Sequence, residues 1–202
     1  MSRRTTIWAG IIRLIIIRHG ETEENARNII MGQMQGTLSA KGIRQAKRLA
    51  LKLKNEKIDA IFSSDLCRAR ETTKEIARYH RATVVYTKEL REQSYGVFQG
   101  RPRSEFFSAQ ASKKAFTPQG GESLRAMRKR ISAFLHQLER NKGLNGKCVL
   151  ISAHAGVVRC SYSVLKPMPI KKSLRLMPKN TGMLIFDVSK KGSVLVKDDM
   201  FQ

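Results

Sequence analysis

Two of the four histidines in this 202-residue chain stand where a catalytic group is expected. His19 follows the apolar, mostly β-branched segment 11–17 after one residue, and His154 follows the similar segment 148–152 after one residue, so each lies at the end of a predicted strand. Where helices connect the strands of a sheet, functional groups collect at the carboxyl ends of those strands. We therefore take His19 and His154 as candidate catalytic residues.

Arginines accompany both histidines. Arg18 precedes His19, and Arg68 follows the second predicted strand after a Ser-Ser-Asp turn. Paired histidines with arginines close by favour a functional site over histidines that serve only packing. The other two histidines, His80 and His136, fall at the end and in the middle of predicted helices, and we interpret them as surface or packing residues.

The elements that must position these residues alternate between strands and helices. The patterns predict strands at 11–17, 58–62, 83–87, 148–152, 183–188 and 193–196, and helices at 39–55, 66–80, 103–113, 122–140 and 156–165. The last two strands are predicted to form a hairpin. This alternation predicts an α/β fold, a three-layer α/β/α sandwich with a mostly parallel central sheet.

The domain organisation is predicted to be simple. No linker, repeat or low-complexity tract divides the chain, and its length suits one domain with a sizeable core. We predict a single domain over 1–202, with a core at about 11–188. The irregular stretch at about 93–120, which contains several glycines and prolines, is predicted to form a small cap.

The charge indicates anionic partners. The chain has 39 lysines and arginines against 16 acidic residues, a net charge of +23. Phosphorylated metabolites, nucleic acid and membrane surfaces all fit such a balance. The excess is spread along both halves of the chain, aromatic residues make up only 6%, and no nucleic-acid-binding module is recognisable, so nucleic acid is disfavoured as the main partner.

Cysteine usage and hydropathy bear on the compartment. Three cysteines without framework spacing predict free thiols in a reducing compartment, and hence a cytoplasmic protein. No apolar run approaches the length of a membrane span, so no membrane association is expected. No His/Cys spacing typical of a metal site occurs, and no metal or other cofactor is predicted.

Five segments, all in order, resemble the motifs of the histidine phosphatase superfamily, whose fold is that of phosphoglycerate mutase. The resemblance runs from about Arg13 to Phe186. The five segments are RHGET at 18–22, SSDLCRARET at 63–72, LREQSYG at 90–96, GGES at 120–123 and SAHAGVVR at 152–159. Five motifs in order are far more specific than any one of them.

The resemblance implies a role for each matched residue. His19 is the nucleophile that accepts the phosphoryl group as a phosphohistidine. Arg18, Arg68 and His154 complete a phosphate pocket without a metal, because the charged equatorial oxygens need fixed positive donors. Glu92 is both a substrate contact and the proton donor for the leaving oxygen.

Other positions are weaker candidates or depart from the family pattern. Candidates for substrate contacts or for support of the site are Asn25, Glu21 and Ser64. The departures are Ala155 where the family has glycine, Gln35 where aspartate is common and Gln99 where glutamate is common. None of these departures falls on a residue of the implied catalytic set.

The family contains both phosphatases and mutases, and the cap favours a phosphatase. Mutases of this superfamily carry a long insertion that excludes water, whereas here only the short stretch between Gly100 and Gly120 intervenes. We therefore expect a metal-independent phosphomonoester hydrolase for a small phosphorylated metabolite. The substrate could be similar to that of a fructose bisphosphatase or of an alpha-ribazole phosphatase. The alternative functions are a mutase and a catalytically weak member that binds phosphate or RNA. Assembly as a homodimer is also an open possibility.

Overall fold

Six strands and seven α-helices form the part of the chain that this computed structural model describes, residues 10–111 and 116–201. The strands are β1 (Ile12–Arg18), β2 (Ala60–Ser64), β3 (Thr83–Thr87), β4 (Cys148–Ala153), β5 (Met183–Ser189) and β6 (Gly192–Asp198). The helices are α1 (Glu23–Ala26), α2 (Ala40–Leu53), α3 (Cys67–Ala77), α4 (Arg103–Ala111), α5 (Leu124–Arg140), α6 (Ala155–Leu165) and α7 (Ile170–Ser173).

The strands form one sheet in the order β3-β2-β4-β1-β5-β6. The first four of these are mutually parallel, while β5 and β6 run antiparallel as the predicted hairpin. The predicted mostly parallel sheet is thus confirmed. In the register of β1 and β4, Arg18 lies opposite Ala153, so His19 and His154 leave the sheet side by side.

The strand β1 is buried on both faces, which explains its nearly continuous apolar sequence. Leu14 and Ile16 point into the cluster that contains the apolar faces of α5 and α6. Ile15 and Ile17 point the other way, into a cluster with α2 and with Ile76 of α3. Helices therefore cover both sides of the sheet, and the predicted three-layer α/β/α sandwich is confirmed.

The main difference from the sequence expectation is the second strand, which ends at Ser64 instead of residue 62. Two completely buried serines, Ser63 and Ser64, extend the strand, because their hydroxyl groups make hydrogen bonds within the fold. Ser63 Oγ donates to the Ser64 carbonyl at 2.9 Å and accepts from Thr73, and Ser64 Oγ accepts from the Leu66 N–H. Apolar patterning does not detect a strand whose last residues are polar and satisfied.

Helix boundaries follow local capping. Ser39 and Ser123 accept from the backbone N–H groups of the first turns of α2 and α5, which is why these helices begin at residues 40 and 124. The predicted helix 103–113 is α4; its last two predicted residues, 112 and 113, lie outside the described residues. Within residues 10–111 and 116–201, none of the helices has the length and apolarity that a membrane crossing requires.

Candidate active site

His19 leaves the end of β1 and is buried, with 3% of its surface exposed. Its backbone N–H donates to the carbonyl of Ala153 at 3.0 Å, and its Nδ1 lies 2.6 Å from the carbonyl oxygen of Gly20. A carbonyl oxygen can only accept, so Nδ1 carries the ring proton and Nε2 keeps its lone pair. The ring therefore presents Nε2 as the nitrogen able to attack.

The surroundings of His19 keep its ring neutral. Burial lowers the pKa of His19 well below its usual 6.5, and the positive charges of Arg68 and Arg18 lower it further, against the opposing effect of the bond to Gly20. A neutral imidazole is the form that a histidine nucleophile needs.

Arg68, in the first turn of α3, lies against the attacking nitrogen. It is only 1% exposed, and its Nε donates to His19 Nε2 at 3.3 Å. Its terminal nitrogens donate to three backbone carbonyls, those of Gly32 (2.7 Å), Met34 (2.6 Å) and Gln35 (3.1 Å). Most of the guanidinium N–H groups thus fix the position of the side chain itself. One Nη2 N–H stays available to a phosphate oxygen, next to the Nε N–H that contacts His19 Nε2.

Arg18 lines the same cavity as His19 and Arg68. Its Nη1 donates to the carbonyl of Pro178 at 2.6 Å, while its Nε is buried with no partner among the described residues. Burial lowers the pKa of Arg18 to about 10, which leaves it charged near neutral pH. An unpaired buried donor of this kind is a place where a bound anion would be stabilised.

His154 is completely buried beside His19, with ring centroids 5.2 Å apart. Its Nε2 lies 2.8 Å from Ser64 Oγ, and its Nδ1 is buried without a partner in the described part of the chain. Burial, followed by the charge of Arg68, lowers the pKa of His154 well below 6.5. His154 can give an N–H to a phosphate oxygen through Nδ1 only when the Ser64 hydroxyl donates to Nε2.

Glu92 lies in the loop before the 3₁₀ turn Gly96–Phe98. Its Oε2 accepts from the Gly156 N–H at 3.0 Å and its Oε1 from the Gln93 N–H at 2.9 Å. The carboxylate thus sits at the N-terminal end of α6, where the helix dipole favours negative charge. Glycine at 156 is needed there, because a Cβ would lie 2.2 Å from Glu92 Oε1.

Two fork-to-fork ion pairs hold the segment that carries Glu92. Arg91 pairs with Asp65 at 2.7 and 2.6 Å, and holds the pKa of that carboxyl below its usual range. Arg130 of α5 pairs with Glu122 at 3.1 and 2.7 Å and also donates to the Arg91 carbonyl at 3.0 Å. Sequence reasoning missed these partners; their only signal was that Arg91, Asp65 and Glu122 fall inside the matched motifs.

Gln99, one of the departures from the family pattern, joins two loops of the site. Its Oε1 accepts from the backbone N–H groups of Gln33 (2.8 Å) and Tyr95 (3.3 Å). The Gln33 side chain in turn donates to the Glu92 carbonyl at 3.2 Å. An amide oxygen performs the acceptor task here, so glutamine in this place keeps the loops together.

Asn25 faces the same cavity but is partly committed to local structure. Its Oδ1 accepts from the Thr22 N–H at 3.3 Å, and its own N–H donates to Thr22 Oγ1 at 3.1 Å, which makes a capping box for α1. Its Nδ2 group is not used in that box. The side chain can therefore offer a substrate the two N–H donors of its Nδ2 group.

These side chains meet in a cavity of about 530 Å³. Arg18, His19, Asn25, Arg68 and Glu92 all line it, whereas His154, next to His19, is not among the lining residues. We call Arg18, His19, Arg68 and His154 the phosphate pocket. The outer cavity is the part of the wall lined by Tyr95, Arg103, Phe106, Phe107, Phe116, Arg159, Leu174 and Met177.

A sequence comparison decides the family. The model of the histidine phosphatase superfamily (branch 1) matches residues 14–198. The chain belongs to this superfamily. The predicted family is therefore confirmed. The match covers β2 to β6 in full, β1 from Leu14 onwards, and every residue of the phosphate pocket.

Individual relatives and solved structures agree with this membership. The chain is 39% identical over 152 residues to fructose-2,6-bisphosphatase TIGAR of Bos taurus, which covers 71% of the chain and 53% of that protein. It is 33% identical over 185 residues to phosphoglycerate mutase-like protein 4 of Arabidopsis thaliana, covering 86% and 78%. The chain thus spans only about half the length of the bovine relative.

Among solved structures, the alpha-ribazole phosphatase from Shigella flexneri superposes with a TM-score of 0.83. The two sequences are 25% identical, and the match covers 93% of our chain and 96% of that structure. The sandwich described above is therefore the fold of a known phosphatase.

Metal ligands do not come together in the described residues: no group of three or more His, Cys, Asp and Glu side chains there is placed to hold a metal ion. The three cysteines are free thiols, with Cys160 buried and the other two half-buried.

Proposed function

We propose that this superfamily member is a metal-independent phosphatase that hydrolyses small phosphorylated metabolites through a phosphohistidine at His19. The observation that carries the proposal is the 2.6 Å bond between His19 Nδ1 and the Gly20 carbonyl, which leaves the Nε2 lone pair beside Arg68. We also propose the cytoplasm as its compartment, because three cysteines without framework spacing are typical of a reducing environment.

In the first step, His19 Nε2 attacks phosphorus and the bond from phosphorus to the leaving oxygen breaks. The Arg68 Nε edge and the unpaired Nε of Arg18 stabilise the equatorial oxygens, as does the Nδ1 N–H of His154 when Ser64 sets that tautomer. Protonated Glu92 gives its proton to the leaving oxygen, which departs as an alcohol.

In the second step, water attacks the phosphohistidine. The Glu92 carboxylate accepts the proton of that water, the bond between phosphorus and His19 Nε2 breaks, and inorganic phosphate leaves. The two steps restore neutral His19 and protonated Glu92.

Access of water favours hydrolysis over phosphoryl transfer between two positions of a substrate. Phe107 and Met177 at the outer cavity keep 51% and 57% of their surfaces exposed. A mutase must keep water away from its phosphohistidine, whereas a phosphatase needs it there. The named relatives also include a fructose-2,6-bisphosphatase and an alpha-ribazole phosphatase, both of which release phosphate by name.

The test is hydrolysis of 4-nitrophenyl phosphate in the presence of EDTA. We expect turnover by the wild type and a fall of about 10³-fold or more for His19→Ala, because the nucleophile is gone. His136→Ala, which removes an exposed histidine of α5, is the matched control and should retain wild-type activity. Loss of activity in EDTA, or equal activity of the two variants, would reject the proposal.

A second assay separates phosphatase from mutase. With 3-phosphoglycerate as substrate, a phosphatase releases inorganic phosphate, and a mutase forms 2-phosphoglycerate without net phosphate release. We expect phosphate release to dominate. If neither product forms and the chain binds RNA at moderate salt, the result supports the alternative, a catalytically weak binding protein.

A further inference from the structure

Helix α2 (Ala40–Leu53) lies in a stretch of the chain that has basic residues and no acidic ones. Residues 25–55 contain seven lysines and arginines and no aspartate or glutamate. One side of the helix packs against the sheet through Leu49, Ala50 and Leu53. The other side is exposed to solvent, so the basic side chains collect there.

Four exposed residues form a compact group at the centre of the outward side of α2. Arg44, Lys47, Arg48 and Leu51 are three or four residues apart, which brings their side chains together on the surface of a helix. Two more exposed residues continue the group at the same spacings in both directions along the chain. We call the whole set the α2 face: Ile43, Arg44, Lys47, Arg48, Leu51 and Lys54.

Carboxylates reach the flanks of α2 but not the α2 face. Lys41 pairs with Glu21 at 2.8 Å, and Lys52 pairs with Asp199 at 2.6 Å. The four basic residues of the α2 face make no ion pair with any described residue. Like charges three or four residues apart destabilise a helix. An anionic surface bound to the α2 face would remove that repulsion.

The α2 face also exposes two large aliphatic side chains. Leu51 has 52% of its surface exposed and Ile43 has 42%. Helix α5, on the opposite side of the sheet, is a useful comparison because it too has exposed basic residues, Arg125, Lys129 and Arg140. Yet α5, all of which is described, exposes no large apolar side chain. The combination of free positive charge and aliphatic surface therefore distinguishes α2.

This combination favours a bilayer surface over nucleic acid as the partner. Single-stranded nucleic acid is bound through aromatic rings as well as basic groups, and the α2 face has no aromatic residue. Aliphatic side chains gain little from a phosphate backbone. At a bilayer surface, by contrast, Leu51 and Ile43 can enter the boundary with the acyl chains. Long basic side chains meanwhile keep their charges among the anionic headgroups.

We propose that the α2 face binds reversibly to the surface of a bilayer that contains anionic phospholipids. Such peripheral binding needs no membrane-spanning segment. It differs from the sequence-based expectation of no membrane association, which considered only segments long enough to span. None of the residues that line the active-site cavity belongs to α2. The proposal is therefore independent of the phosphatase function.

The first test compares two kinds of vesicle with the wild-type protein. Sedimentation measures the partition coefficient for vesicles of phosphatidylcholine alone and for vesicles with about one third phosphatidylserine. We expect the anionic vesicles to bind the protein at least about tenfold more strongly, and the difference to shrink as the salt concentration rises. Equal partition into the two kinds of vesicle would overturn the proposal without the need for any variant.

The second test assigns the binding to the basic residues of α2. Replacing Arg44, Lys47 and Arg48 together by glutamine should lower partition into the anionic vesicles by about thirtyfold or more, since each basic residue near such a surface contributes about fivefold. The matched control replaces Arg125, Lys129 and Arg140 of α5 by glutamine, which removes the same charge from the opposite side of the sheet.

The control should stay within about threefold of the wild type, because its charges lie far from the bound surface. Equal losses in the two triple variants would mean that net charge alone causes the binding, and would overturn the assignment to α2. Circular dichroism and the thermal unfolding midpoint check that both variants fold. We expect the α2 variant to fold at least as stably as the wild type, because the like-charge repulsion is removed.

The third test separates a membrane from nucleic acid. The double change Ile43→Gln and Leu51→Gln should lower partition into anionic vesicles by about fivefold or more, because the aliphatic contact is lost. Val194→Gln with Val196→Gln, at two exposed apolar positions of β6, is the control and should have no effect. Unchanged partition of the α2 double variant would overturn the proposal. So would binding of an RNA hairpin, but not of vesicles, that depends on Arg44, Lys47 and Arg48.

Discussion

The phosphate pocket and the outer cavity share one wall but are held by different forces. In the pocket, His19 and Arg68 are at most 3% exposed, and their polar atoms bond to backbone carbonyls. In the outer cavity, aromatic rings pack edge to face, as Tyr95 and Phe106 do with centroids 4.9 Å apart, and Phe107 is half exposed. We infer from this contrast that the phosphate pocket holds its polar groups in fixed positions, whereas side chains of the outer cavity can adjust to different substrates.

The largest effect is expected from Glu92→Gln, because the leaving oxygen loses its proton donor. We expect kcat/KM to fall by about 10²- to 10⁴-fold for an alkyl phosphate such as glycerol 3-phosphate. The fall should be much smaller for 4-nitrophenyl phosphate, whose leaving group needs no proton. Glu89→Gln, an exposed neighbour, serves as control. Equal losses on both substrates would contradict the role of Glu92 as acid.

Gly156→Ala should displace that same carboxylate. The added methyl would meet Glu92 Oε1 at 2.2 Å, so the side chain must move. A shift of about 1 Å is expected to cost up to roughly 10²-fold in kcat/KM on alkyl phosphates. Gly143→Ala, whose nearest neighbour would be an Asn141 oxygen at 3.2 Å, is the control. If the ratio of kcat/KM between alkyl phosphates and 4-nitrophenyl phosphate is the same in Gly156→Ala as in the wild type, the Glu92 carboxylate has not moved and the prediction is wrong.

The burial of the pocket predicts a loss of stability in mild acid. Below pH 6.5 unfolded histidines bind protons, while His19 and His154 stay neutral in the fold because their pKa values are lowered. The contribution of these two histidines to stability is therefore fully present above about pH 6.5 and decreases as the pH falls below that value.

Urea unfolding at pH 7.5 and pH 5.5 measures this difference. His19→Asn should reduce it, and His136→Ala, at an exposed position, should not. A free energy of unfolding that is the same at both pH values would contradict the assignment of buried neutral rings.

Ser64→Ala tests whether the hydroxyl sets the tautomer of His154. Loss of its 2.8 Å bond to Nε2 should lower kcat by about tenfold on every phosphate substrate. Ser64→Thr should restore most of the activity. Ser63→Ala is the control, because it removes another completely buried hydroxyl. We expect it to lower stability about as much as Ser64→Ala does and to leave kcat unchanged. Equal effects of the two alanine variants on kcat would leave Ser64 with a structural role alone.

Phe107→Ala should give the smallest effect and act on selectivity. The ring contributes an edge-to-face contact with Phe106 and supports Arg103, interactions worth about 0.5–1 kcal/mol each. We expect KM for anionic substrates to rise by about two- to fivefold, with a smaller change in kcat. A fall in kcat as large as that of Ser64→Ala would remove the distinction between the two parts of the cavity.

Sequence reasoning found much of this site because its residues lie at predictable places in the fold. His19 and His154 follow parallel strands, and any two neighbouring parallel strands bring such residues to one edge of the sheet. Glu92 could not be placed in this way. Only its motif singled it out, since nothing local connects its loop to α6, 64 residues later in the chain.

The sequence by itself determined the order of strands and helices, the residues that end β1 and β4, and the family, because these depend on local periodicity and short motifs. The tertiary structure decided how each polar group is used. It alone shows that Arg68 is spent mostly on three backbone carbonyls and that Arg103 and Arg159 converge on one cavity without a carboxylate partner among the described residues. Hydrogen-bond partners and charge balance depend on distances between segments far apart in the chain, and those distances are set by packing across the sheet.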